Sequence, residues 1–199
     1  MSAVFTDPVP AALFWATYLA FVLLDARLVT RAMRGRAVAG GGHVVRGPVH
    51  RPSGLLLLMA GEGISVALAT VAAFQLPWTT PLLVIGLVAA WAGIGLRWWA
   101  KRTLGRFFVG AVVIQEGHHV VSSGPYAVLR HPGYAGSALA LIGFGVATAN
   151  VASIAAFTLT AFGVVVRTIG VEERVLRAEL GEPYVEYSRR TARLVPGVW

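Results

Sequence analysis

Residues 116–136, EGHHVVSSGPYAVLRHPGYAG, form the stretch from which the rest of the chain is best interpreted. The stretch is polar, is interrupted by glycine and proline, and lies between apolar blocks long enough to cross a membrane. It holds three of the five histidines, in a chain in which only 13% of the residues are charged. Because ionisable groups are costly near lipid and are usually functional there, we expect the chemistry of this protein to take place in this stretch.

The composition is that of an integral membrane protein. Of the 199 residues 56% are hydrophobic, and the mean hydropathy is +0.69; a soluble domain has about 45–50% apolar and about 25% charged residues. The start of the chain lacks the features of a cleaved signal peptide, so the first apolar block is expected to be retained.

Cysteine is absent, which excludes disulfides, thiolate metal ligands and cysteine nucleophiles. The net charge of +8 is spread among the apolar blocks, which argues against nucleic acid as a partner.

Five apolar blocks predict an all-α integral membrane protein with five transmembrane helices. They cover residues 10–29, 54–76, 81–99, 134–148 and 151–166. The last two blocks are short for a full span, so we expect a helical hairpin that is tilted or shielded by protein. The chain then continues as an amphipathic helix that Gly181 ends, and Pro183 opens another short helix. We divide the chain into N-terminal transmembrane helices with a basic loop, 1–94, and a catalytic region, 95–199.

The basic residues predict one orientation in the membrane. Of the 17, six lie from Arg27, at the end of the first block, to the start of the second, five from Arg97, at the end of the third block, to the start of the fourth, and six after the fifth. The turns at 75–81 and 149–150 have none, so the N-terminus is expected outside and the C-terminus in the cytoplasm. Residues 116–136 and the C-terminal helices then share the cytoplasmic face, where we expect a helical cofactor pocket. A chain rich in glycine, alanine and arginine with a single lysine indicates a GC-rich bacterial genome, and hence a bacterial cytoplasmic membrane.

Two interpretations of the Arg130-His131-Pro132 triplet are open from the residues alone. Pro132 suits the first turn of a helix, and Arg130 would then anchor that helix at the inner leaflet. Alternatively, the arginine, the imidazole and the phenol of Tyr134 converge on an anionic or amphipathic ligand. The preceding glycine-proline turn would bring Tyr126 to the same site.

The acidic residues also allow two interpretations. Glu172 and Glu173 either form a solvated charged face with Arg177 or contribute carboxylates to a site. Glu62, inside the second apolar block, either satisfies a neighbouring helix or lines a cavity for a lipid substrate. No metal site is predicted, because the remaining histidines lack the spacing of a helical metal site: His43, His50 and His119.

Three separated motifs resemble the isoprenylcysteine carboxyl methyltransferase family of membrane-embedded enzymes. They are HHVV, GPYAVLRHPGYAG and EERVLRAELGEPYVEYSRRTARLVPG, and the similarity covers residues 95–197. Members transfer a methyl group from S-adenosylmethionine, and relatives methylate phospholipid amines. The resemblance therefore implies methyl transfer from S-adenosylmethionine to a lipophilic acceptor that enters from the bilayer, such as an isoprenylcysteine-type carboxylate.

The resemblance also implies which residues contact the cofactor. These are His118, Val120, Val121, Gly124, Tyr126, Arg130, His131, Pro132, Tyr134, Glu172 and Glu173. Our candidate catalytic residues are Glu172, His131 and Arg167. Where the family carries an arginine implicated in substrate handling, this chain has Thr168; the adjacent Arg167, about 100° around a helix, is our expected replacement.

The residue types fit this chemistry, and two alternatives stay open beside it. A sulfonium cation, a zwitterionic amino acid and an adenine call for a carboxylate, hydrogen-bond donors and aromatic walls. Methyl transfer depends on alignment and desolvation and needs no metal. A carboxylate acceptor would be steered by Arg167 or Arg130, and an amine would need Glu172 or His131 as base. The alternatives are an NADPH-dependent enzyme similar to sterol reductases and a non-catalytic membrane scaffold.

Overall fold

Long helices carry the apolar blocks of the sequence. The structure is a computed structural model that describes residues 3–38, 43–45, 52–107, 112–114 and 119–197. In chain order its elements are α1 (Ala3–Thr6), α2 (Pro8–Val38), β1 (His43–Val45), α3 (Pro52–Leu68), α4 (Thr79–Leu104), β2 (Val112–Ile114), α5 (Pro132–Ala147), α6 (Val151–Leu180) and α7 (Glu182–Arg190). Short 3₁₀ turns lie at Ala72–Phe74, Gly105–Phe107 and Gly124–Ala127.

Two of these helices, α4 and α6, are long and apolar enough to cross a membrane. Shorter apolar helical segments lie at Pro8–Leu24, Leu56–Leu68 and Pro132–Ala147. Each of the five predicted blocks therefore contains a helix, and two of them meet the criterion for a span on their own. The predicted division at residues 94 and 95 lies inside α4, and it stays a prediction.

The second apolar block was predicted as one helix over residues 54–76, but α3 ends at Leu68. Beyond it, Gln75 forms an antiparallel bridge with Asn150, and its side-chain amide donates a hydrogen bond to the Ala149 carbonyl at 2.9 Å. These bonds to the α5–α6 turn require the chain to leave the helix before Gln75. Strands β1 and β2 pair antiparallel, a small sheet that the prediction of an all-α fold did not include.

Glycines bring the backbones of α4 and α5 into direct contact. A Cβ on Gly86 would lie 2.3 Å from the Ala147 nitrogen, and one on Gly93 would lie 2.5 Å from the Gly136 carbonyl oxygen. Small residues allow apolar helices to approach closely enough for van der Waals attraction between their backbones. This contact fixes the first turn of α5 relative to the end of α4.

The hairpin of α5 and α6 is present as predicted, and its turn is closed by Asn150. The side-chain oxygen of Asn150 accepts a hydrogen bond from the Ser153 nitrogen at 3.1 Å and so caps α6. Its amide nitrogen donates to the Val71 carbonyl at 3.0 Å. The two turns that carry no basic residue therefore meet at one end of the helices.

Helix α2 packs on this hairpin through aromatic side chains. The rings of Phe14 and Tyr18 lie 5.8 and 5.2 Å from the ring of Phe144 on α5. The Tyr18 hydroxyl donates a hydrogen bond to the Glu62 carboxylate of α3. Glu62 thus joins two helices, in agreement with the structural interpretation of this residue.

The opposite end of the helices is polar. Helix α6 continues without a break from its apolar part, residues 151–166, into a charged C-terminal part. It ends at Gly181, whose φ of +61° suits glycine, and α7 begins immediately afterwards, as predicted. The charged part of α6, α7, the start of α5 and the end of α4 surround the residues discussed next.

Candidate functional site

A turn at Gly124–Ala127 leads the chain towards α5. Gly124 has a φ of +56°, and a Cβ at this position would lie 2.9 Å from the Thr103 hydroxyl on α4. Both the left-handed backbone and the close approach require glycine here. The turn buries Tyr126, whose carbonyl accepts a hydrogen bond from the Tyr187 hydroxyl of α7 at 2.8 Å.

The segment before α5 pairs with the segment after α7. Leu129 and Ala192 form a parallel bridge. The Arg130 nitrogen donates to the Ala192 carbonyl at 2.7 Å, and the His131 nitrogen donates to the Arg193 carbonyl at 3.1 Å. The backbone of the Arg-His-Pro triplet is therefore held by a part of the chain that lies about 60 residues further on.

Arg130 and Glu173 form the centre of this junction. The Nε of Arg130 lies 2.9 Å from the Glu173 carboxylate, and its Nη1 donates to the Ser188 and Thr191 carbonyls. Arg193 approaches the same carboxylate to 3.1 Å. Glu173 is 4% exposed, so its carboxylate is buried against the guanidinium groups of Arg130 and Arg193.

His131, Tyr134 and Glu172 come together beside this junction. The Tyr134 hydroxyl donates to the Glu172 carboxylate at 2.6 Å. The His131 side chain is buried between two carboxylates, with Nδ1 3.6 Å from Glu172 and Nε2 3.4 Å from Glu173. The His131 imidazole thus lies between the Glu173 carboxylate, which Arg130 and Arg193 contact, and the Glu172 carboxylate, which accepts the hydrogen bond from Tyr134.

The environments of the two glutamates move their pKa values in opposite directions. Both lie in the charged part of α6, beyond its apolar residues 151–166. Burial raises the pKa of Glu172, and contacts with His131 and Tyr134 only partly oppose that rise. Burial would also raise the pKa of Glu173, but the close contact with His131, the hydrogen bonds from Arg193 and the charge of Arg130 outweigh it and lower the pKa to about 2. Glu173 is therefore an anion at neutral and mildly acidic pH, whereas Glu172 binds a proton more readily than an ordinary glutamate.

The structure brings most of the predicted residues to this end of the chain. Pro132 is buried at the first position of α5, and Val120 and Val121 are half-buried in the segment before the turn. His118 lies outside the described residues. Arg167 is exposed, whereas Thr168 is buried and its hydroxyl donates to the Val164 carbonyl of its own helix at 2.8 Å.

Several residues of the site were not predicted. Arg97 on α4 donates from Nη1 to the Gly133 carbonyl at 3.1 Å, and Arg193 contacts Glu173. Tyr184 on α7 is buried, and its hydroxyl has no hydrogen-bond partner among the described residues. Tyrosines on α7 were visible in the sequence, but their burial depends on how α7 folds back, which local spacing does not show.

Within the described ranges, no group of three or more His, Asp or Glu side chains is arranged to hold a metal ion.

Comparison with known proteins finds one matching family and several relatives. Residues 83–178 match the model of the isoprenylcysteine carboxyl methyltransferase family. The chain is 33% identical over 114 residues to a probable protein-S-isoprenylcysteine O-methyltransferase of Oryza sativa subsp. indica, which is 56% of this chain and 60% of that protein. It is 35% identical over 115 residues to protein-S-isoprenylcysteine O-methyltransferase B of Arabidopsis thaliana, which is 57% of this chain and 58% of that protein.

A bacterial relative has a different name. The cobalt-zinc-cadmium resistance protein CzcN of Cupriavidus metallidurans is 31% identical over 121 residues, which is 60% of this chain and 51% of that protein. The chain thus spans about three fifths or less of the length of the curated relatives described here. The aligned family region includes Tyr134, Glu172 and Glu173, and it ends before α7.

Proposed function

We propose that this chain, whose residues 83–178 match the model of the isoprenylcysteine carboxyl methyltransferase family, transfers a methyl group from S-adenosylmethionine to a lipophilic acceptor in the membrane. The acceptor is an isoprenylcysteine-type carboxylate or another lipid-like group. The observation that carries the proposal is the contact of His131 with Glu172 and Glu173, beside the hydrogen bond from Tyr134. These residues belong to separate motifs of the family resemblance and meet at one place.

The residues around this contact fit S-adenosylmethionine. The donor carries positive charge on its sulfonium and amino groups, which suits the carboxylate of Glu172. The buried hydroxyl of Tyr184, without a partner among the described residues, is a donor and acceptor for a polar ligand. When bound, the donor supplies a methyl group on a sulfonium that leaves as a neutral thioether, so no acid is needed for the leaving group.

The chain's own residues then have separate tasks. Tyr134 orients the Glu172 carboxylate through its hydrogen bond, and His131 lies between that carboxylate and Glu173. Arg130 and Glu173 hold the His131 backbone in place by tying the C-terminal segment over it. Such preorganisation lowers the barrier by alignment and by excluding water. For an amine acceptor, the raised pKa of Glu172 makes it a suitable base.

The proposed setting is a bacterial cytoplasmic membrane crossed five times, with the C-terminus and the site on the cytoplasmic face. Two helices that are long and apolar enough to cross a membrane support the membrane location, and the meeting of the two uncharged turns supports the placement of these turns on one side. Because the chain has no cysteine, single cysteines can report the topology. With Thr80→Cys, an impermeant maleimide should label intact cells; with Glu186→Cys, it should label only after lysis. The reverse pattern would contradict the orientation.

The function is tested by binding and by product formation. Isothermal titration of the purified protein should show binding of S-adenosylhomocysteine and none of NADPH; tight NADPH binding alone would instead favour a reductase. Incubation with methyl-labelled S-adenosylmethionine and a membrane lipid extract should yield a labelled lipophilic product. If S-adenosylhomocysteine binds equally to the wild type and to His131→Ala and Glu172→Ala, the scaffold hypothesis is the better one.

A further inference from the structure

The exposed side of α6 is apolar as far as Val166 and carries arginines beyond it. On this side Leu159, Phe162 and Val166 are 73%, 42% and 43% exposed. Arg167 follows directly, and Arg174 lies two turns further on, about 20° away around the helix axis. Both arginines are exposed. Because the exposed apolar part of a helix long enough to cross a membrane contacts acyl chains, the two arginines lie at the level of the lipid headgroups.

The two arginines flank an open space above Gly170. The Nε of Arg174 donates a hydrogen bond to the Gly170 carbonyl at 3.1 Å, so this side chain folds back along the helix towards Arg167. Gly170 is exposed, and a Cβ on it would have no atom within 4 Å. Residues three and four positions apart on a helix are surface neighbours, so Gly170 lies next to both arginines. A ligand above Gly170 would thus meet two guanidinium groups.

The charges of Arg167 and Arg174 are not neutralised by an acid. Among the described residues, no carboxylate lies within 4.0 Å of the nitrogens of either side chain. Five other arginines of the described C-terminal half do contact glutamates: Arg130, Arg177 and Arg193 contact Glu173, Arg189 contacts Glu182 at 3.7 Å, and Arg190 contacts Glu186 at 3.3 Å. The two arginines beside Gly170 are therefore suited to bind an anion from outside the protein.

A lipid phosphate fits this position. Guanidinium groups bind phosphate oxygens through paired N–H groups, and two of them favour a headgroup with a net negative charge over one that also carries an ammonium. The acyl chains of the same lipid would lie along Phe162 and Val166. We propose that Arg167, Gly170 and Arg174 bind the headgroup of an anionic phospholipid where the apolar part of α6 ends. This site faces the bilayer and does not depend on methyl transfer.

The probes are phosphatidylglycerol, which has a net negative charge, and phosphatidylcholine with the same acyl chains, which has none. Native mass spectrometry of the purified protein in detergent measures the affinity for each lipid. The variants are Arg167→Gln, Arg174→Gln and the double variant, and the matched control is Arg189→Gln. Arg189 is an exposed arginine that already pairs with Glu182. Lipid affinity is the readout, because Arg167 is also a candidate for a role in methyl transfer.

We expect the wild type to bind phosphatidylglycerol more tightly than phosphatidylcholine. Each single glutamine variant should lower the affinity for phosphatidylglycerol roughly fivefold, and the double variant roughly 25-fold, because each arginine near a membrane surface contributes about that factor. Arg167→Lys and Arg174→Lys keep the charge without the paired N–H groups, so they should lose less. The affinity for phosphatidylcholine should stay at the wild-type value in every variant, and Arg189→Gln should match the wild type for both lipids.

Gly170→Leu tests the shape of the site without changing its charge. The added side chain should fill the space above residue 170 and weaken the binding of phosphatidylglycerol. The matched control is Gly95→Leu, since Gly95 is also exposed on a long apolar helix and a Cβ on it has no atom within 4 Å. This control should bind phosphatidylglycerol like the wild type.

Four results would overturn the inference. The wild type could bind the two lipids with equal affinity. The double variant could keep the wild-type preference for phosphatidylglycerol. Arg189→Gln could lower the affinity as much as Arg174→Gln, which would show that surface charge in general attracts the lipid. Finally, Gly170→Leu could bind phosphatidylglycerol as tightly as Gly95→Leu, which would place the headgroup elsewhere.

Discussion

The Tyr134 hydroxyl of α5 and the Glu172 carboxylate of α6 lie 2.6 Å apart, although 38 positions separate them in the sequence. The two helices form a hairpin, so both residues return to the end at which the hairpin opens. This hydrogen bond joins the Arg-His-Pro segment to the charged part of α6. It is the contact on which the first two predictions depend.

Replacing Glu172 by glutamine should reduce methyl transfer by roughly 100-fold or more, because the site loses the negative charge that faces a cationic donor. The amide oxygen can still accept the Tyr134 hydrogen bond, so the melting temperature should change little. Radiolabel incorporation and thermal unfolding in detergent measure the two effects. Glu179→Gln is the matched control, since Glu179 is exposed on the same helix. If Glu172→Gln were as active as Glu179→Gln, the charge of Glu172 would not be needed for methyl transfer.

Tyr134→Phe should shift the acid limit of donor binding to higher pH. The hydrogen bond from Tyr134 lowers the pKa of Glu172, against the larger effect of burial, so its loss lets that pKa rise further. Binding that needs the ionised carboxylate is then lost at a higher pH as the solution is acidified. The affinity for S-adenosylhomocysteine, measured from pH 8 downward in both proteins, tests the shift. An unchanged acid limit would show that Glu172 ionisation does not control binding.

Glu173→Gln should destabilise the protein by about 3 kcal/mol, because it leaves the buried Arg130 without its carboxylate partner. The control is Glu186→Gln. Glu186 pairs with Arg190 at 3.3 Å in a pair that is mostly exposed, and its loss should cost less than about 1 kcal/mol. Unfolding by a denaturing detergent, followed by circular dichroism, compares the two variants. Similar losses in both would mean that Glu173 acts only as a surface charge.

The lowered pKa of Glu173 predicts that the free energy of unfolding decreases in acid. The pKa of Glu173 is about 2 in the folded protein and near 4.5 when it is exposed, so its contribution is complete above about pH 4.5. The contribution declines as the pH falls towards 2, because the unfolded chain binds the proton first. The difference in unfolding free energy between the wild type and Glu173→Gln isolates this effect from other carboxylates. That difference should shrink from pH 5 to pH 3, and a constant difference would contradict it.

Gly86→Ala should destabilise the helix pair by roughly 1–3 kcal/mol, because the added methyl group meets the backbone of α5 and forces the helices apart. Gly95 on the same helix is the control, since a Cβ there has no atom within 4 Å. Gly95→Ala should be neutral or stabilising by up to about 1 kcal/mol, because alanine favours a helix. Unfolding midpoints of the two variants give the comparison. Equal midpoints would show that the close backbone contact adds no stability.

The sequence predicted the elements of this fold better than their contacts. Hydropathy found a helix in every apolar block, and the glycine and proline after α6 predicted the break at Gly181. The early end of α3 was missed, because it follows from hydrogen bonds between Gln75 and a turn about 75 residues away. Such hydrogen bonds depend on which turns lie next to each other in the fold, and this cannot be predicted from local composition.

The site could be predicted only as far as its motifs reach. His131, Tyr134 and Glu172 stood in motifs and do lie together. Arg97 and Arg193 belonged to basic clusters whose ordinary explanation is an anchor at the inner leaflet, and nothing local distinguishes them from their neighbours. The assignment of Arg167 as a replacement cation used helical position alone, and it stays a prediction for an exposed side chain.

The bridge between Leu129 and Ala192 also has a consequence for biosynthesis. A ribosome makes Arg130 and His131 well before it makes Arg193, and the hairpin of α5 and α6 lies between them. The whole hairpin is therefore synthesised while the triplet still lacks its backbone partners. The triplet can reach its hydrogen-bonded position only after the segment that follows α7 has been made.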